Sequence, residues 1–269
     1  MKIIMDYWSV FNTIVIMLAL GLAYDNGKTQ VHGGTLLLRA TVGYNLLIPM
    51  LVLVFLKNIS WFSSDTIAAM TLCIAAAGGT SAGAFVTHVK GSASLAAKLI
   101  VSLVGVSLAA IVLFSKLQWI VVGKLSLIAL GMYLLAITLL PVFLGNFLRR
   151  RYEDLSIKWQ PRIERVGGLL VILLVLVLAM QHGREILGGP REPLIAAFFL
   201  VVMFLVPPLF ETDRTHRRTI VLVTLIRNLT LVLSMLAVLP QASNLIPTVL
   251  AFGLFMYVMT GMLVLRWRN

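Results

Sequence analysis

The residue most at odds with its surroundings is an arginine within a long apolar stretch. Arg227 lies in VLVTLIRNLTLVLSML, at least about nine residues from either end of the predicted span at 218–239. At 1.5 Å per residue, this position lies near the centre of a membrane-crossing helix. An arginine there costs at least about 2.5 kcal/mol, so its guanidinium must face an interior cavity or a partner. The neighbouring side chain, Asn228, can both donate and accept hydrogen bonds. Together they could bind an anion.

Each of these two residues also has a purely structural interpretation. Arg227 could bond to backbone carbonyls freed by a break in another helix, and Asn228 could join two helices by a hydrogen bond. The acidic residues all lie in loops or at span ends, and none is predicted to be buried: Asp6, Asp25, Asp65, Glu153, Asp154, Glu164, Glu185, Glu192, Glu211 and Asp213. A bound anion is then the simplest partner to neutralise Arg227. The same absence argues against a proton relay built on carboxylates.

A second stretch, Ile67 to Gly91, is apolar but interrupted by the run GGTSAG at residues 78–83. Glycines disfavour helix, and a helix break at membrane depth must face protein or a water-filled cavity. The run therefore predicts a break with a polar cavity, in which the backbone of Gly78 and Gly79 offers donors. The hydroxyls of Thr80 and Ser81 could bond a substrate oxygen or bond back to the preceding turn.

The composition indicates what must position these residues. The 269-residue chain is 60% hydrophobic and only 12% charged, with a mean hydropathy of +1.00, whereas soluble domains carry about 25% charged residues. This predicts an all-α integral membrane protein with a single membrane domain over residues 1–269. The net charge of +12 is concentrated at span ends, which argues against nucleic acid as a partner. No nucleophile with a base, paired carboxylate or metal cluster is evident, so an enzyme is not expected.

About nine transmembrane spans are expected in the lipid bilayer, roughly at 8–24, 37–56, 67–89, 93–115, 119–148, 166–187, 193–210, 218–239 and 246–266. The most basic connections follow spans 5 and 7 and precede the carboxyl terminus, which places that terminus in the cytoplasm and the amino terminus outside. Spans 3 and 8, an offset of five, carry the glycine break and Arg227. Such an offset reverses topology and predicts an inverted repeat, 1–116 and 117–269. Span 2 adds Asn45 beside Pro49 as a further polar candidate.

The stretch AAAGGTSAGAFVTHVKGSASLA resembles the fourth-helix signature of the bile acid:sodium symporter family. In that family, CPGGTASN is commonly followed by AKG and an ALS triplet, and TLIRNLTLVLSMLA falls where the family has EVGMQNSGLA. The segments VGYNLLIPML, MLALGL and ITLLPVFLGNFLRR are also similar to family helices. The resemblance spans nearly the whole chain. It implies a core and a panel domain, two crossing broken helices (spans 3 and 8), and alternating access for an organic anion, usually coupled to sodium.

The chain departs from the family at its sodium ligands. The family's serine and asparagine of TASN, serine of ALS, and glutamate and glutamine of EVGMQ are replaced here by Ala82, Gly83, Ala96, Val223 and Arg227. Hard cations need oxygen ligands. A guanidinium would also repel a cation 4 Å away by about 4 kcal/mol at an effective dielectric of 20. Sodium remains possible by resemblance, but these residues argue against it. Leu225 stands where the family has a glycine, which predicts a less unwound span 8.

The sequence thus predicts a secondary transporter of a small organic anion in a plasma membrane of the bacterial inner-membrane type. Arg227 would supply a permanent positive charge, and Asn228, Thr80, Ser81, Asn45 and the amides of Gly78 and Gly79 would contact the substrate. Two alternatives remain. One is a conventional sodium symporter with unrecognised ligands, and the other is a transport-inactive membrane receptor or assembly partner in which Arg227 is satisfied internally.

Overall fold

The computed structural model describes residues 2–23, 34–59, 61–79, 81–120, 126–188, 191–237, 239 and 242–268. Every regular element in these ranges is a helix. The α-helices are α1 Lys2–Ala23, α2 Gly34–Leu38, α3 Ile48–Lys57, α4 Ser64–Ala75, α5 Ser81–His88, α6 Ala93–Lys116, α7 Leu127–Leu134, α8 Leu140–Arg151, α9 Glu153–Gly188, α10 Arg191–Phe210, α11 Arg214–Leu225, α12 Leu229–Leu236 and α13 Ala242–Arg268. Two π-helical stretches, π1 Arg39–Leu47 and π2 Leu135–Leu139, join α2 to α3 and α7 to α8.

Five helical segments among the described residues are long and apolar enough to cross a membrane: Gly34–Lys57, Leu95–Lys116, Ile128–Arg151, Arg214–Leu236 and Ala242–Trp267. Shorter apolar helices cover Val10–Leu22, Ser64–Ala75 and Leu194–Phe210. These segments are those of an all-helical membrane protein. The most apolar window of Arg214–Leu236 is entirely buried by other parts of the chain. The segment that carries Arg227 is therefore the centre about which the remaining helices pack.

Both π-helical stretches lie just before a proline. Pro49 and Pro141 occupy the first turns of α3 and α8, respectively. A proline has no N–H to donate to the carbonyl four residues earlier, and its ring crowds that carbonyl. A widened turn before the proline is one way to relieve the crowding, and π-helical turns are often found at functional sites. In π1 the widened turn holds the buried residues Thr41, Tyr44 and Asn45.

Two of the predicted spans are broken helices. The first is interrupted between Ala75 and Ser81, and the second between Leu225 and Leu229. Among the described residues the first break covers 76–79, not 78–83 as predicted, because Ser81, Ala82 and Gly83 already form the first turn of α5. The second break covers residues 226–228. Whether span 8 is less unwound than its counterpart in the symporter family, as Leu225 predicts, stays a prediction.

The basic connection after span 5 differs from the sequence interpretation. Residues 149–165 read as a charged loop, but α8 continues to Arg151 and α9 begins at Glu153, with only Tyr152 between them. Glu153 and Asp154 lie in the first turn of α9, where carboxylates favour the positive end of the helix dipole. Arg149, Arg150 and Arg151 lie in the last turn of α8 and complement its negative end. The charges therefore extend the helices instead of interrupting them.

Helix α1 packs against α8 and α9 at a crossing made by two glycines. A Cβ added to Gly21 would collide with the backbone of Val142 and would lie 2.9 Å from the Cα of Gly145. A Cβ on Gly145 would likewise collide with the backbone of Leu18. Small residues let helix backbones approach closely in membranes, where packing rather than the hydrophobic effect holds helices together.

We expect Gly21→Val to destabilise the protein by about 1–3 kcal/mol, because the backbone of α8 cannot move away without repacking α9. Thermal unfolding of the purified protein in detergent measures the effect. Gly131→Val is the matched control, since a Cβ there meets no atom within 4 Å and the change in intrinsic helix propensity is the same. Equal unfolding temperatures for the two variants would contradict the close crossing.

Candidate anion-binding site

The two broken helices meet at their breaks and exchange backbone hydrogen bonds. The N–H of Gly79 donates to the carbonyl of Ile226 at 3.0 Å, and the N–H of Asn228 donates to the carbonyl of Ala76 at 2.7 Å. Backbone groups freed by each break are thus satisfied by the other, as the interior of a membrane protein requires. The exchange explains why two separate interruptions lie at the same place.

The two glycines of the first break are required for different reasons. A Cβ on Gly79 would lie 2.7 Å from the carbonyl oxygen of Arg227, so a side chain would separate the two segments. Gly78 has a φ of +76°, a conformation that other residues rarely adopt. A Cβ there would also lie 2.8 Å from the Cβ of Leu103 on α6. The predicted helix break at Gly78 and Gly79 is confirmed, and their contact with a substrate stays a prediction.

Arg227 lies inside the second break and is 2% exposed. Its Nη1 approaches the carbonyl oxygens of Ile74 at 3.4 Å and Asn45 at 3.5 Å, and its Nη2 lies 3.6 Å from the sulfur of Met203. These distances are at the long limit for N–H···O bonds, whose usual length is about 2.9 Å. The Nε of Arg227 has no hydrogen-bond partner among the described residues. The guanidinium is therefore held in place by weak contacts and retains donor capacity.

The two carbonyls that face Arg227 are exposed by irregularities in their helices. Asn45 precedes Pro49 by four residues, and proline has no N–H to donate to its carbonyl. Ile74 lies in the last turn of α4, which ends at Ala75, so its carbonyl is one of those that a helix terminus leaves free. The proline and the glycine break thus each direct one oxygen towards the same guanidinium.

Helix ends of both signs lie around Arg227. The carboxyl termini of α4 and α11 end at the crossing, each with roughly half a negative elementary charge, and α5 and α12 begin there with amino termini of the opposite sign. Among the described side chains, no carboxylate pairs with Arg227; Glu211 pairs with Arg39, and Asp213 lies beside His216. The carbonyls and the two carboxyl termini lower the cost of burying the guanidinium without providing a full counter-charge.

Asn228 caps the second half of its own broken helix. Its Oδ1 accepts from the N–H of Leu231 at 3.1 Å and from the hydroxyl of Thr230 at 2.8 Å. Its Nδ2 has no partner among the described residues, although Asn228 is only 3% exposed. The cap fixes the amide, and the two N–H groups that remain are donors. A donor next to Arg227 suits an anion.

The side-chain amide of Asn45 is held through its nitrogen, whereas that of Asn228 is held through its oxygen. Its Nδ2 donates to the carbonyl of Ala40 at 2.8 Å and to the hydroxyl of Thr224 at 3.2 Å, which assigns the amide orientation. Its Oδ1 has no partner in the part of the chain that the structure describes. Asn45 therefore offers an acceptor to the site, while its backbone carbonyl faces Arg227.

Polar contacts continue from the crossing along α12 to the helices on its other side. The hydroxyls of Thr13 on α1 and Ser234 on α12 lie 2.8 Å apart. The hydroxyl of Tyr133 on α7 donates to the carbonyl of Ser234 at 3.0 Å. These bonds join α12 to the α1 and α7 side of the molecule, and a movement between the two sides would have to break them.

Outside the apolar core, Asp213 begins the segment that leads to Arg227. Its carboxylate accepts from the N–H of His216 at 2.7 Å and caps α11. This bond holds the pKa of the Asp213 carboxyl below its usual value. Because a lowered pKa keeps the carboxylate ionised, the cap persists at neutral pH.

The structure brings together most, but not all, of the predicted site residues. Gly78, Gly79, Arg227, Asn228 and the backbone of Asn45 meet at the crossing. Ser81 is half-buried and interacts with the hydroxyl of Tyr257 on α13, and no contact joins it to Arg227. Thr80 lies outside the described residues.

The positions that the resemblance aligns with sodium ligands of the symporter family lie in apolar surroundings. Ala82, Ala96 and Val223 are all fully buried and belong to one packed apolar cluster. Gly83, which has no side chain, is the fourth position and Arg227 the fifth. None of these five side chains offers an oxygen to a cation.

Sequence reasoning missed several residues at the site. Met203 and the sulfur of Met256, which lies 3.1 Å from the N–H of Arg227, come from α10 and α13. Thr224 meets Asn45 across the molecule. The interpretation that no carboxylate is buried is wrong: Glu211 is only 8% exposed and pairs with Arg39 at 3.0 Å. It follows directly after α10, where sequence alone gave no sign that π1 would cover it.

Comparisons with known proteins add no assignment. No protein-family model matches the sequence, and a search of curated proteins likewise found no match. A function for this protein must therefore be inferred from its residues and their geometry.

We expect Gly79→Ala to destabilise the protein by about 1–3 kcal/mol, because its methyl group would push against the carbonyl of Arg227 and weaken both exchanged bonds. Gly83→Ala, four residues along the same segment, is the control. A Cβ there meets only the Cδ1 of Ile100, at 3.9 Å, and alanine favours helix over glycine by about 1 kcal/mol. Thermal unfolding in detergent should therefore lower the midpoint for Gly79→Ala and leave it equal or higher for Gly83→Ala. The reverse order would contradict the crossing.

Proposed function

We propose that this protein is a secondary carrier that moves a small organic anion across a membrane by alternating access. The anion binds where the two breaks meet, with its charge against Arg227 and further hydrogen bonds from Asn228. The proposal includes nine transmembrane spans in two inverted halves, an outside amino terminus and a plasma-membrane location. It also includes kinship with the bile acid:sodium symporter family, without sodium coupling.

One observation carries the proposal. The buried guanidinium of Arg227 lies where the two broken helices meet, and it can donate more hydrogen bonds than it makes. The Nε of Arg227 has no partner in the described chain, and its other contacts are at least 3.4 Å long. Hydrogen bonds to charged groups contribute about 1.5–3 kcal/mol when made. A carboxylate offers short charge-assisted bonds that carbonyls at this distance do not.

The proposed movement takes place between two groups of helices. Helices α1, α8 and α9 pack closely together, whereas α4, α10, α11 and α13 pack around the crossing. The bonds from Thr13 and Tyr133 to Ser234, the packing of α12 against α1 and the packing of α13 against α9 all lie between these groups and would have to rearrange. We propose that the second group rocks against the first, so that the crossing opens to each side in turn, as in other carriers with broken helices.

One feature favours a second candidate function, a transport-inactive receptor or assembly partner. The carbonyls of Ile74 and Asn45 and the ends of α4 and α11 all favour the positive charge. A guanidinium compensated in this way would have a purely structural role, which is to hold the neighbouring helices together. The two functions differ in flux: a receptor would be stabilised by its ligand but would move no solute.

The first experiment identifies a usable anion. The purified protein is heated with a panel of mono- and dicarboxylates of two to eight carbons, and those that raise its unfolding temperature are then supplied in labelled form to proteoliposomes. Saturable uptake supports the carrier. Stabilisation without uptake supports the receptor.

We expect Arg227→Ala to reduce uptake of the selected carboxylate at least tenfold, because losing one charge-assisted bond of about 1.5–3 kcal/mol corresponds to about one to two powers of ten. The carboxylate should also no longer raise the unfolding temperature of this variant. Arg214→Ala is the matched control: it removes an exposed arginine from the same segment and should leave both readings unchanged. Full uptake by Arg227→Ala, in a variant that still folds, would refute the proposed role.

We also expect uptake to be the same whether the outer solution contains sodium or choline. The reason is that the positions of the family's sodium ligands are held here by Ala82, Ala96 and Val223 in an apolar cluster and by a cation at Arg227. The measurement is the initial rate at equal ionic strength. A severalfold loss in choline would instead support the conventional sodium symporter.

A further inference from the structure

The buried face of π1 carries polar atoms that its own fold leaves unpaired. Thr41 is 6% exposed and Asn45 is 2% exposed, and neither the Oγ1 of Thr41 nor the Oδ1 of Asn45 has a partner in the described chain. In folded proteins the large majority of buried polar side-chain atoms are hydrogen-bonded, and leaving one unpaired costs about 1–3 kcal/mol. Two such atoms four residues apart point to a polar occupant beside π1.

Asn45 connects this face of π1 to Arg227. Residues four apart occupy nearly the same face of a helical turn, so Thr41 is one turn from Asn45 towards Arg39. The carbonyl of Asn45 is the one that lies 3.5 Å from the Nη1 of Arg227, whose Nε is also unpaired. Along π1, unpaired polar groups therefore extend from the crossing towards the end of the helix.

Two contacts lie at the other end of this row of unpaired polar atoms, near Arg39. The Nη2 of Arg39 lies 3.0 Å from the Oε2 of Glu211. One turn along, the ring of Tyr44 stacks on Phe210, with centroids 6.1 Å apart. Both contacts join π1 to the end of α10. The side chain of Arg39 is 48% exposed, whereas that of Glu211 is 9% exposed, so the ion pair lies where the interior meets the surface.

We infer that Thr41 and Asn45 line a hydrated passage along π1, through which a small carboxylate reaches Arg227 from a mouth closed by the Arg39–Glu211 pair. This inference rests on the proposed function and adds the route to it. Arginines at both ends favour an anion over a cation, since a path with one sign of charge concentrates ions of the other sign. The carboxylate of Glu211 neutralises Arg39 while the mouth is closed. An incoming carboxylate can take the place of Glu211 on Arg39 as the mouth opens.

The chain offers a direct test because its single cysteine, Cys73, is fully buried. In a Cys73→Ala background, Thr41→Cys places a thiol in the passage, and Leu47→Cys places one on the same π-helical stretch where the side chain is 52% exposed towards the surrounding membrane. The proteoliposomes are treated with a membrane-impermeant methanethiosulfonate that carries a sulfonate, or with one that carries a trimethylammonium group. Reagent is supplied to each side in turn.

We expect the sulfonate reagent to modify Thr41→Cys about ten times faster than Leu47→Cys, because water and anions reach the first site and lipid covers the second. The trimethylammonium reagent should be slower at Thr41→Cys after correction for its reactivity with a free thiol. Glu211→Gln, added to Thr41→Cys, removes the charge that closes the mouth and should raise the rate severalfold. Each comparison is made on protein whose unfolding temperature matches the background.

Equal rates at the two cysteines, or a preference for the cationic reagent, would overturn the passage. A labelling rate that is unchanged by Glu211→Gln would overturn the proposed mouth.

The labelling and transport experiments can fail independently. Fast labelling by the anionic reagent, with uptake that does not need Arg227, would keep the passage and reject the carrier mechanism. Uptake that needs Arg227, with Thr41→Cys as inert as Leu47→Cys, would keep the carrier and reject this route. Thr41→Ser, which keeps the hydroxyl, should retain uptake where Thr41→Val lowers it.

Discussion

A positive charge that cannot leave the interior governs the arrangement of this molecule. Removing an ion from water costs several kcal/mol even after the protein relaxes, and Arg227 is 2% exposed. The surrounding helices respond with partial charges rather than with a carboxylate. Two helices end beside it, and a proline-widened turn presents the Asn45 carbonyl. Each of these features would weaken a helix elsewhere; here each reduces the cost of the same guanidinium.

The compensation is incomplete, and that incompleteness is the basis of the proposed function. Carbonyls 3.4–3.5 Å from Nη1 stabilise the charge less than oxygens at about 2.9 Å would. A site that satisfied Arg227 fully would have no affinity for an anion, and one that did not compensate it would not fold. The observed distances lie between these limits. They suit the proposed carrier, which must bind its ligand and then release it.

Sequence reasoning predicted the parts of the site that are local in the chain. Arg227 is evident because it interrupts an apolar stretch, and Gly78 and Gly79 because consecutive glycines cannot sustain a helix. The partners of Arg227 come from segments that are distant in the sequence. The local sequences around Met203 and Met256 resemble those of other methionines in apolar helices, so they do not indicate a contact with Arg227. The first break begins at Ala76, two residues before the predicted start at Gly78. Alanine favours helix intrinsically, but the hydrogen bonds exchanged with Ile226 and Asn228 require this part of the chain to unwind.

The same limit explains the buried carboxylate and the helical basic connection. Glu211 looks like a surface residue because it follows an apolar helix, and its burial depends on π1 lying across it. Residues 149–165 are polar enough to read as a loop, but they carry few helix breakers, and Pro161 is accommodated within α9. Periodicity and composition predict elements well when neighbours in sequence decide the outcome. They fail where a neighbour in space decides it.

The reciprocal backbone bonds at the crossing affect how this protein can diverge. Main-chain groups make both bonds, from Gly79 to Ile226 and from Asn228 to Ala76, so the side chains of Ile226 and Ala76 can change without losing either. A single inserted or deleted residue in one break would instead shift its donor away from the other segment's acceptor. Homologues should therefore keep the number of residues in each interruption constant, whereas the identities at these two buried acceptor positions are limited by packing and not by the hydrogen bonds.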